Sequence, residues 1–481
     1  MAPNTLHLSV FDQNIARVFT QILHIFPFPD GSQNEDATRA LEAGLQATLC
    51  SFPFLAGTIQ PADPETGKLS LEYSSDVPNV RTARLFSFSS IPPSQDYPYT
   101  YEQLKRDGMP QRAFTGEMFC PHVLRDYPGI PKDAEGIMDS KHPVPALAVE
   151  AFFIPGGLVL STYFHHSVCD GSGKNEFWKQ FAAHVYAQRP GRSLPCLGNI
   201  PNQSELRLQM DRSIPVFEKP PVSDCYGMPD YQKTLPDGVS CASRIFVISA
   251  DRIRAVRDEL KHSVKTVTPL TRCNVLSALI WIHVTRARRA RLTKYGYDDT
   301  SLGIAVDLRK RLSPPLSPSY MGNMALMAKA TETIAKYGQE DRVTCTTIIP
   351  AIKEINRAIS SVNNMWVQRH LGYFASNKRI TNTEIKLRFH RGPDLYITSW
   401  MHFGAEFEWD IPGTTSTMPE YIRRTHSPSD GGMIILPRKR TVGENGKEAP
   451  YEVLIRLASE DMERLLNEEA GLASWADRVI E

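Results

Sequence analysis

The stretch from residue 146 to residue 188 leaves a chain like this few folds to choose from. Residues 146–154 and 158–164 are apolar, β-branched and aromatic runs joined by Pro155-Gly156-Gly157, the pattern of a β-hairpin. The second run passes directly into His165-His166, an Asp170-Gly171 turn reverses the chain, and a helix is predicted over 172–188. Phe177, Trp178, Phe181, Ala182, Val185 and Tyr186 supply its apolar face. Strand-like and helix-like segments alternate over the first 190 residues, so this part of the chain reads as α/β.

The rest of the chain continues in mixed α/β fashion. Leu41, Leu45 and Leu49 mark one face of a helix over 36–49, with Asn34 or Asp36 as N-cap. Between 190 and 236, eight prolines (190, 195, 201, 215, 220, 221, 229 and 236) interrupt any apolar period. This predicts an N-terminal domain (1–189), an ordered proline-rich crossover (190–238) and a C-terminal domain (239–481). Within the last, strands are expected at 240–247, 303–306, 395–400, 432–436 and 451–457. Helices are expected at 250–260, 274–289 and from Ser459 through Leu466. The helix at 274–289 carries Leu276, Leu279, Ile280, His283 and Val284 on one stripe.

Composition narrows the function classes. With 54 Lys and Arg against 53 Asp and Glu, the net charge of +1 offers no field for nucleic acid or an anionic membrane. The eight cysteines show neither a CxxC pair nor zinc-ligand spacing, so they read as buried or half-buried free thiols, and no metal site is expected. The N-terminus has no basic region followed by an apolar stretch. The most apolar segment, 144–164, is broken by Pro145, Glu150, Pro155, Gly156 and Gly157. The expectation is a cytoplasmic protein without a membrane span.

One segment carries chemistry. Imidazole titrates near neutrality, so a histidine fixed at a strand tip can take a proton and return it. Strand alternation sends His165 and His166 to opposite faces, and only one of them can enter a given pocket. Asp170, four residues on, either orients an imidazole or locks the turn to a neighbouring domain. No G-x-S-x-G elbow, Walker loop, Rossmann glycine string or H-E-x-x-H competes with this segment. A base without a protein nucleophile favours direct proton removal from a substrate hydroxyl or amine.

The string His165-His166-Ser167-Val168-Cys169-Asp170-Gly171 resembles the HHxxxDG signature of the BAHD acyl-CoA-dependent acyltransferases, shared with chloramphenicol acetyltransferase-like enzymes and peptide-synthetase condensation domains. Residues 8–14 (LSVFDQN), 26–31 (FPFPDG), 41–59, 276–288 (LSALIWIHVTRAR), 306–323, 397–400 (ITSW) and 431–465 are similar to further BAHD segments. The SPSDGGMIILPRKR ending is most similar to the fungal branch, which modifies secondary metabolites.

That resemblance implies an α/β fold of two chloramphenicol acetyltransferase-like domains, each a mixed β-sheet with flanking helices, joined by a long crossover loop. It implies that His166 is the general base, in a channel entered by acyl-CoA from one mouth and by the acceptor from the other. Asp170 would turn away as a clamp held by Arg309 and Asn323. Trp400 would donate its indole N–H to the developing oxyanion, a contribution of about 2.7–4 kcal/mol for one such donor. A backbone N–H near Gly171 would assist it. Thr398 and Ser399 would form wall, and His165 and His402 would border the pocket. Lys261, Lys265, Thr271 and Arg272, ahead of the helix near Asn274, would meet the CoA phosphates. The family's DFGWG motif is degenerate here, with Glu408-Trp409 or Asp410 in its place. The implied activity is transfer of an acyl group, acetyl in the first instance, from acyl-CoA to a hydroxyl of a small secondary metabolite. It would be carried out by a monomer with no tightly bound cofactor, no metal and no acyl-enzyme. The alternatives are a condensation-type N-acyltransferase using a carrier-bound donor and a non-catalytic binding protein of the same fold.

Overall fold

The computed structural model describes residues 3–481 except 132–133, 135–137, 139, 228–229, 263, 266, 338–341, 381–384, 428 and 441–445. Pro229 of the crossover, Pro428 of the SPSDGG stretch and 441–445 within the matching segment 431–465 therefore lie outside the described residues.

The hairpin forms from Leu147–Ile154 and Gly157–His165, with Ile154 paired to Gly157, so Gly157 belongs to the strand and the turn is shorter than its three-residue signature. These strands sit inside a five-stranded mixed sheet in the order Tyr421–Arg423, Phe19–Pro27, Gly157–His165, Leu147–Ile154, Phe86–Ser90. All nine residues of Gly157–His165 are buried because both sheet faces are covered. On one side lie the helices Asn34–Ser51 and Gly171–Tyr186, through Leu41, Leu45, Phe177, Trp178 and Phe181. On the other, Tyr97, Tyr101, Leu104, Phe114 and Phe119 pack on Leu23, Ile25, Phe152 and Val159. Double coverage is the reason this hairpin reads as continuous apolar runs instead of an alternation.

A seven-stranded mixed sheet occupies the C-terminal half, in the order Ala325–Thr333, Asp299–Asp307, Leu395–Ser399, Gly432–Ile435, Tyr451–Ala458, Cys241–Ile248, Arg478–Ile480. Leu395–Ser399 runs parallel to both of its neighbours. The helix Arg272–Lys294 is buried on every side from Asn274 to Thr285, where a single stripe had been expected. The helices Ala250–Leu260, Ile349–Ser361 and Ser459–Asn467 surround it, so it is the spine of this core and not a surface helix. A small four-stranded sheet joins Asn4–Leu6, Leu71–Tyr73, Thr58–Ile59 and Val144–Pro145.

Two excursions tie the halves together. After Leu395–Ser399 the chain leaves the large sheet and buries Trp409, Ile411 and Ile422 in the N-terminal core. It adds Tyr421–Arg423 to the edge of the five-stranded sheet before returning at Gly432–Ile435. The crossover, where no period was legible, holds the helix Gln203–Arg212. Its cap is Asn202, whose Oδ1 accepts from the N–H groups of Ser204 and Glu205 at 3.0 and 3.1 Å. No helix among the described residues is long and apolar enough to cross a membrane. All eight cysteines are free, and Cys50 and Cys196 are exposed rather than half-buried.

Candidate active site

The two histidines part at the strand tip. The His165 N–H donates to Ala146 O at 3.0 Å and the His166 N–H to Val18 O at 2.8 Å, so both backbones are fixed by the sheet edge. The His165 ring is 2 % exposed, stands edge-on to Phe19 at 5.7 Å, and its Nδ1 accepts from the Ser167 N–H at 3.2 Å. It borders a small cavity with Ile59, Leu69, Met138 and His142, which His166 does not line. Burial first, then the charges of His166, Arg17 and Lys174, push it down to about 3, so it is a neutral packing residue. The expectation of His165 on the His166 pocket is corrected accordingly.

His166 remains half-buried. Its Nδ1 is enclosed and makes no well-formed hydrogen bond among the described residues. Burial and the neighbouring Lys174 lower the ring to about 4, opposed by its own carbonyl, the Asp170 charge and the Asn323 side chain, which favour a proton. The ring is therefore neutral at pH 7.

Three clamps hold the loop that carries it. Asp170 Oδ1 and Oδ2 accept the two guanidinium nitrogens of Arg309, each at 2.9 Å, and also the N–H groups of Gly173 at 3.0 Å and Met324 at 2.8 Å. Burial alone would raise this carboxyl; Arg309 and the two N–H groups hold it below its ordinary value. Arg309 spends its remaining donors on Tyr320 O, Gly322 O and Asp307. Asp170 thus locks the turn and does not orient the imidazole. Asn323, expected on Asp170, instead donates to the His166 carbonyl and to Asp12 Oδ1, both at 2.8 Å. The adjacent Met324 N–H takes the place foreseen for it.

The third clamp is Asp12, absent from the sequence reading as a site residue. Its Oδ1 accepts the Asn323 side chain and N–H, and its Oδ2 accepts Arg207 Nε at 2.9 Å and the Ser9 N–H and hydroxyl. Arg207 Nη2 in turn donates to Val168 O at 2.8 Å, and both members of the Asp12–Arg207 pair have side chains 0 % exposed. Ser9-x-x-Asp12 is a legible capping box. Nothing in the sequence marks Arg207.

Glycine is required where the halves touch. A Cβ on Gly173 would lie 2.3 Å from Met321 O, and one on Gly171 2.5 Å from Phe403 Cε2. Phe403 belongs to the turn after Trp400, closed by its N–H to Trp400 O at 2.9 Å, and the Gly404 N–H donates to Asn175 Oδ1 at 3.0 Å. The Trp400 loop is thereby seated on the first turns of the helix that follows His166. Trp400 is half-buried, and its indole N–H has no protein acceptor among the described residues.

The other expected residues disperse. Thr398 is half-buried, while Ser399 is exposed with its hydroxyl on the Cys273 thiol. His402 is exposed, lowered by partial burial and by Arg440 and Arg438. Thr271 is consumed in a reciprocal cap with Asn274, so the N-terminus of Arg272–Lys294 is self-capped. Arg272 is ion-paired to Glu448 at 2.5 Å, which also holds Arg254 and Arg438. Lys261 lies 3.5 Å from Asp258, and Lys265 is exposed. In the degenerate motif Trp409 is sealed among His24, Phe26 and Phe181 at 5.0–6.0 Å. Asp410, rather than the exposed Glu408, pairs with Arg192 at 3.1 Å and Arg189 at 3.8 Å. Burial pushes the Cys169 thiol up to about 12, which removes it as a nucleophile at neutral pH.

The profile of the Transferase family matches residues 131–471, and that of the trichothecene 3-O-acetyltransferase-like N-terminal domain matches 18–184. The chain is 24 % identical to the trichothecene 8-O-acetyltransferase of Fusarium sporotrichioides, with 92 % of each chain covered. It is 25 % identical to the acyltransferase easC of Emericella nidulans, covering 98 % of this chain and 94 % of that one. Its fold matches Fusarium graminearum TRI101 complexed with coenzyme A and deoxynivalenol at a TM-score of 0.77, with 18 % identity over 99 % and 100 % of the two chains. It matches vinorine synthase at 0.61, with 19 % identity over 98 % and 94 %. A two-domain fold shared along the whole length, and a family profile spanning most of the chain, place this protein in the Transferase family as a fungal BAHD-type acyltransferase.

Proposed function

We propose that the chain transfers an acyl group, acetyl in the first instance, from acyl-CoA to a hydroxyl of a small secondary metabolite, with His166 as general base. The observation that carries this is the clamped strand tip. Asp12, Asp170 and Asn323 fix the backbone around His166 while its ring stays half-open and neutral. In this reading Nε2 takes the acceptor's hydroxyl proton as its oxygen bonds to the thioester carbon. The Trp400 indole N–H, with no protein acceptor among the described residues, donates to the oxyanion of the tetrahedral intermediate. The carbon–sulfur bond then breaks, and the departing thiolate takes the proton from His166. Direct transfer is supported by the inert Cys169 thiol. The acyl-CoA reaches His166 by a channel between residues 1–189 and 239–481, with 190–238 crossing between them, and the protein acts as a cytoplasmic monomer.

The test is a panel of acyl-CoAs and carrier-bound acyl donors offered with a fungal metabolite extract. Free thiol and acylated product are followed in wild type and His166→Ala. Thiol release from acyl-CoA, coupled to an ester product and lost in the variant, is expected. Turnover from carrier-bound donors alone, or no thiol release from any acyl-CoA, would overturn the reading.

A further inference from the structure

So far Lys174 has acted only through its charge, on His165 and His166. It lies one turn into the helix that follows His166, is 4 % exposed, and its ammonium has no ion pair or hydrogen bond among the described residues. Its direction follows from the register. Trp178 donates to Thr162 Oγ1 at 3.2 Å and stacks edge-on to His24, while Ile22 and Thr20 pair with Thr162 and Phe164. Positions 160, 162 and 164 therefore face the helix, and the alternation carried on brings His166 to that same side. Lys174, four residues before Trp178, shares its helix face one turn nearer the strand tip. It is close enough to His166 and Cys169 to act on the titration of both.

The Lys174 side chain is almost wholly buried, its ammonium calls for an anion, and no carboxylate among the described residues pairs with it. The one carboxylate whose charge acts on it is Asp170, and both oxygens of Asp170 are already taken by Arg309 and by the N–H groups of Gly173 and Met324. Burial lowers Lys174 from its ordinary value, with Cys169 and Asp170 only partly opposing. A ligand oxygen carrying negative charge would reverse that and neutralise the charge beside the base. The shared chemistry is an anionic oxygen, which either the acceptor or a CoA phosphate can bring. Lys174 sits on the N-terminal half, against the strand tip, whereas the candidate phosphate side chains Lys261, Lys265 and Arg272 all lie in the C-terminal half.

We propose that Lys174 is a specificity-determining residue that binds a carboxylate of the acyl acceptor, so that this enzyme takes hydroxy acids in preference to neutral alcohols. The inference rests on the functional reading above and narrows its acceptor class. It is tested by calorimetric titration of the full-length protein, in the presence of CoA, with cyclohexanecarboxylate and with cyclohexanecarboxamide. Wild type should bind the carboxylate at least about tenfold more tightly, the size of one charge-assisted hydrogen bond. In Lys174→Met and Lys174→Gln the preference should disappear while CoA affinity is retained. No carboxylate preference in wild type, or a preference that survives both substitutions, overturns the proposal. A loss of CoA affinity in the variants also overturns it and assigns Lys174 to a phosphate. Failure of the functional reading is distinct, because it appears as undiminished thiol release in His166→Ala whatever Lys174 binds.

Discussion

The chemistry assigned to this chain comes down to which groups around His166 are already satisfied. Asp170 is not free to orient the imidazole, because its four hydrogen bonds go to Arg309, Gly173 and Met324. The ring's basicity is set by burial and by Lys174, and a value near 4 in the free enzyme has a direct kinetic signature. The acidic limb of kcat/KM should fall at about pH 4 instead of the ordinary histidine range of about 6.5. A limb at 6 to 7 would mean that the titrating group is not this one. Trp400→Phe keeps an aromatic ring against the two apolar cores that Trp400 touches but removes the indole N–H. A kcat reduced about 10²–10³-fold with little change in KM is expected from steady-state kinetics, and an unchanged kcat would exclude the oxyanion role.

At the scale of elements, the site is a loop pinned by segments distant in sequence. The hairpin, the turn and the helix Gly171–Tyr186 were legible because each is specified locally, by apolar runs, turn residues and helical spacing. The pins were not. Arg207 sits in a proline-broken stretch and its partner Asp12 lies 195 residues away, a pairing that no local pattern encodes. Asn323 was legible as a residue of the second half that reaches the loop, but its acceptors depend on a shift of a single position, with Met324 taking Asp170. The three-residue strand Tyr421–Arg423 was invisible because it is a strand only by completing the other half's sheet. Removing one pin tests the arrangement. Asp12→Ala leaves the Arg207 guanidinium buried and unpaired, and chemical denaturation should show a loss of about 3–5 kcal/mol. The double variant Asp12→Leu/Arg207→Met should recover much of that stability without recovering turnover, because the Val168 carbonyl loses Arg207 and Asn323, which holds the His166 carbonyl, loses its own anchor on Asp12. Full recovery of rate would show that the clamp is only structural.

For the whole molecule, the two halves are stitched at three levels: the Asp170–Arg309 pair, the crossover helix, and the 400–427 excursion with Trp409 at its centre. That excursion also buries His24, whose two ring nitrogens are sealed without partners among the described residues and whose ring burial pushes down to about 3. His165 and His166 are lowered as well, to about 3 and about 4. A histidine whose folded value lies below its unfolded one stabilises the fold fully above about pH 6.5 and loses that contribution as pH falls toward the folded value. Asp170, held low, adds a loss of the same sign only near and below the ordinary carboxylate value of about 4, so the change between pH 7.5 and pH 5 belongs to the histidines. Denaturant midpoints should therefore drop between pH 7.5 and pH 5, and His24→Phe should flatten the slope; a midpoint constant over that range would contradict the burial of these rings.

The account turns on His166 accepting the proton of the attacking hydroxyl, and turnover of acetyl-CoA by His166→Ala, followed as free thiol in the presence of an acceptor, tests this most directly. A rate about 10²–10⁴-fold below wild type, in a variant that still binds CoA, is the predicted result. Wild-type turnover in that variant would contradict it.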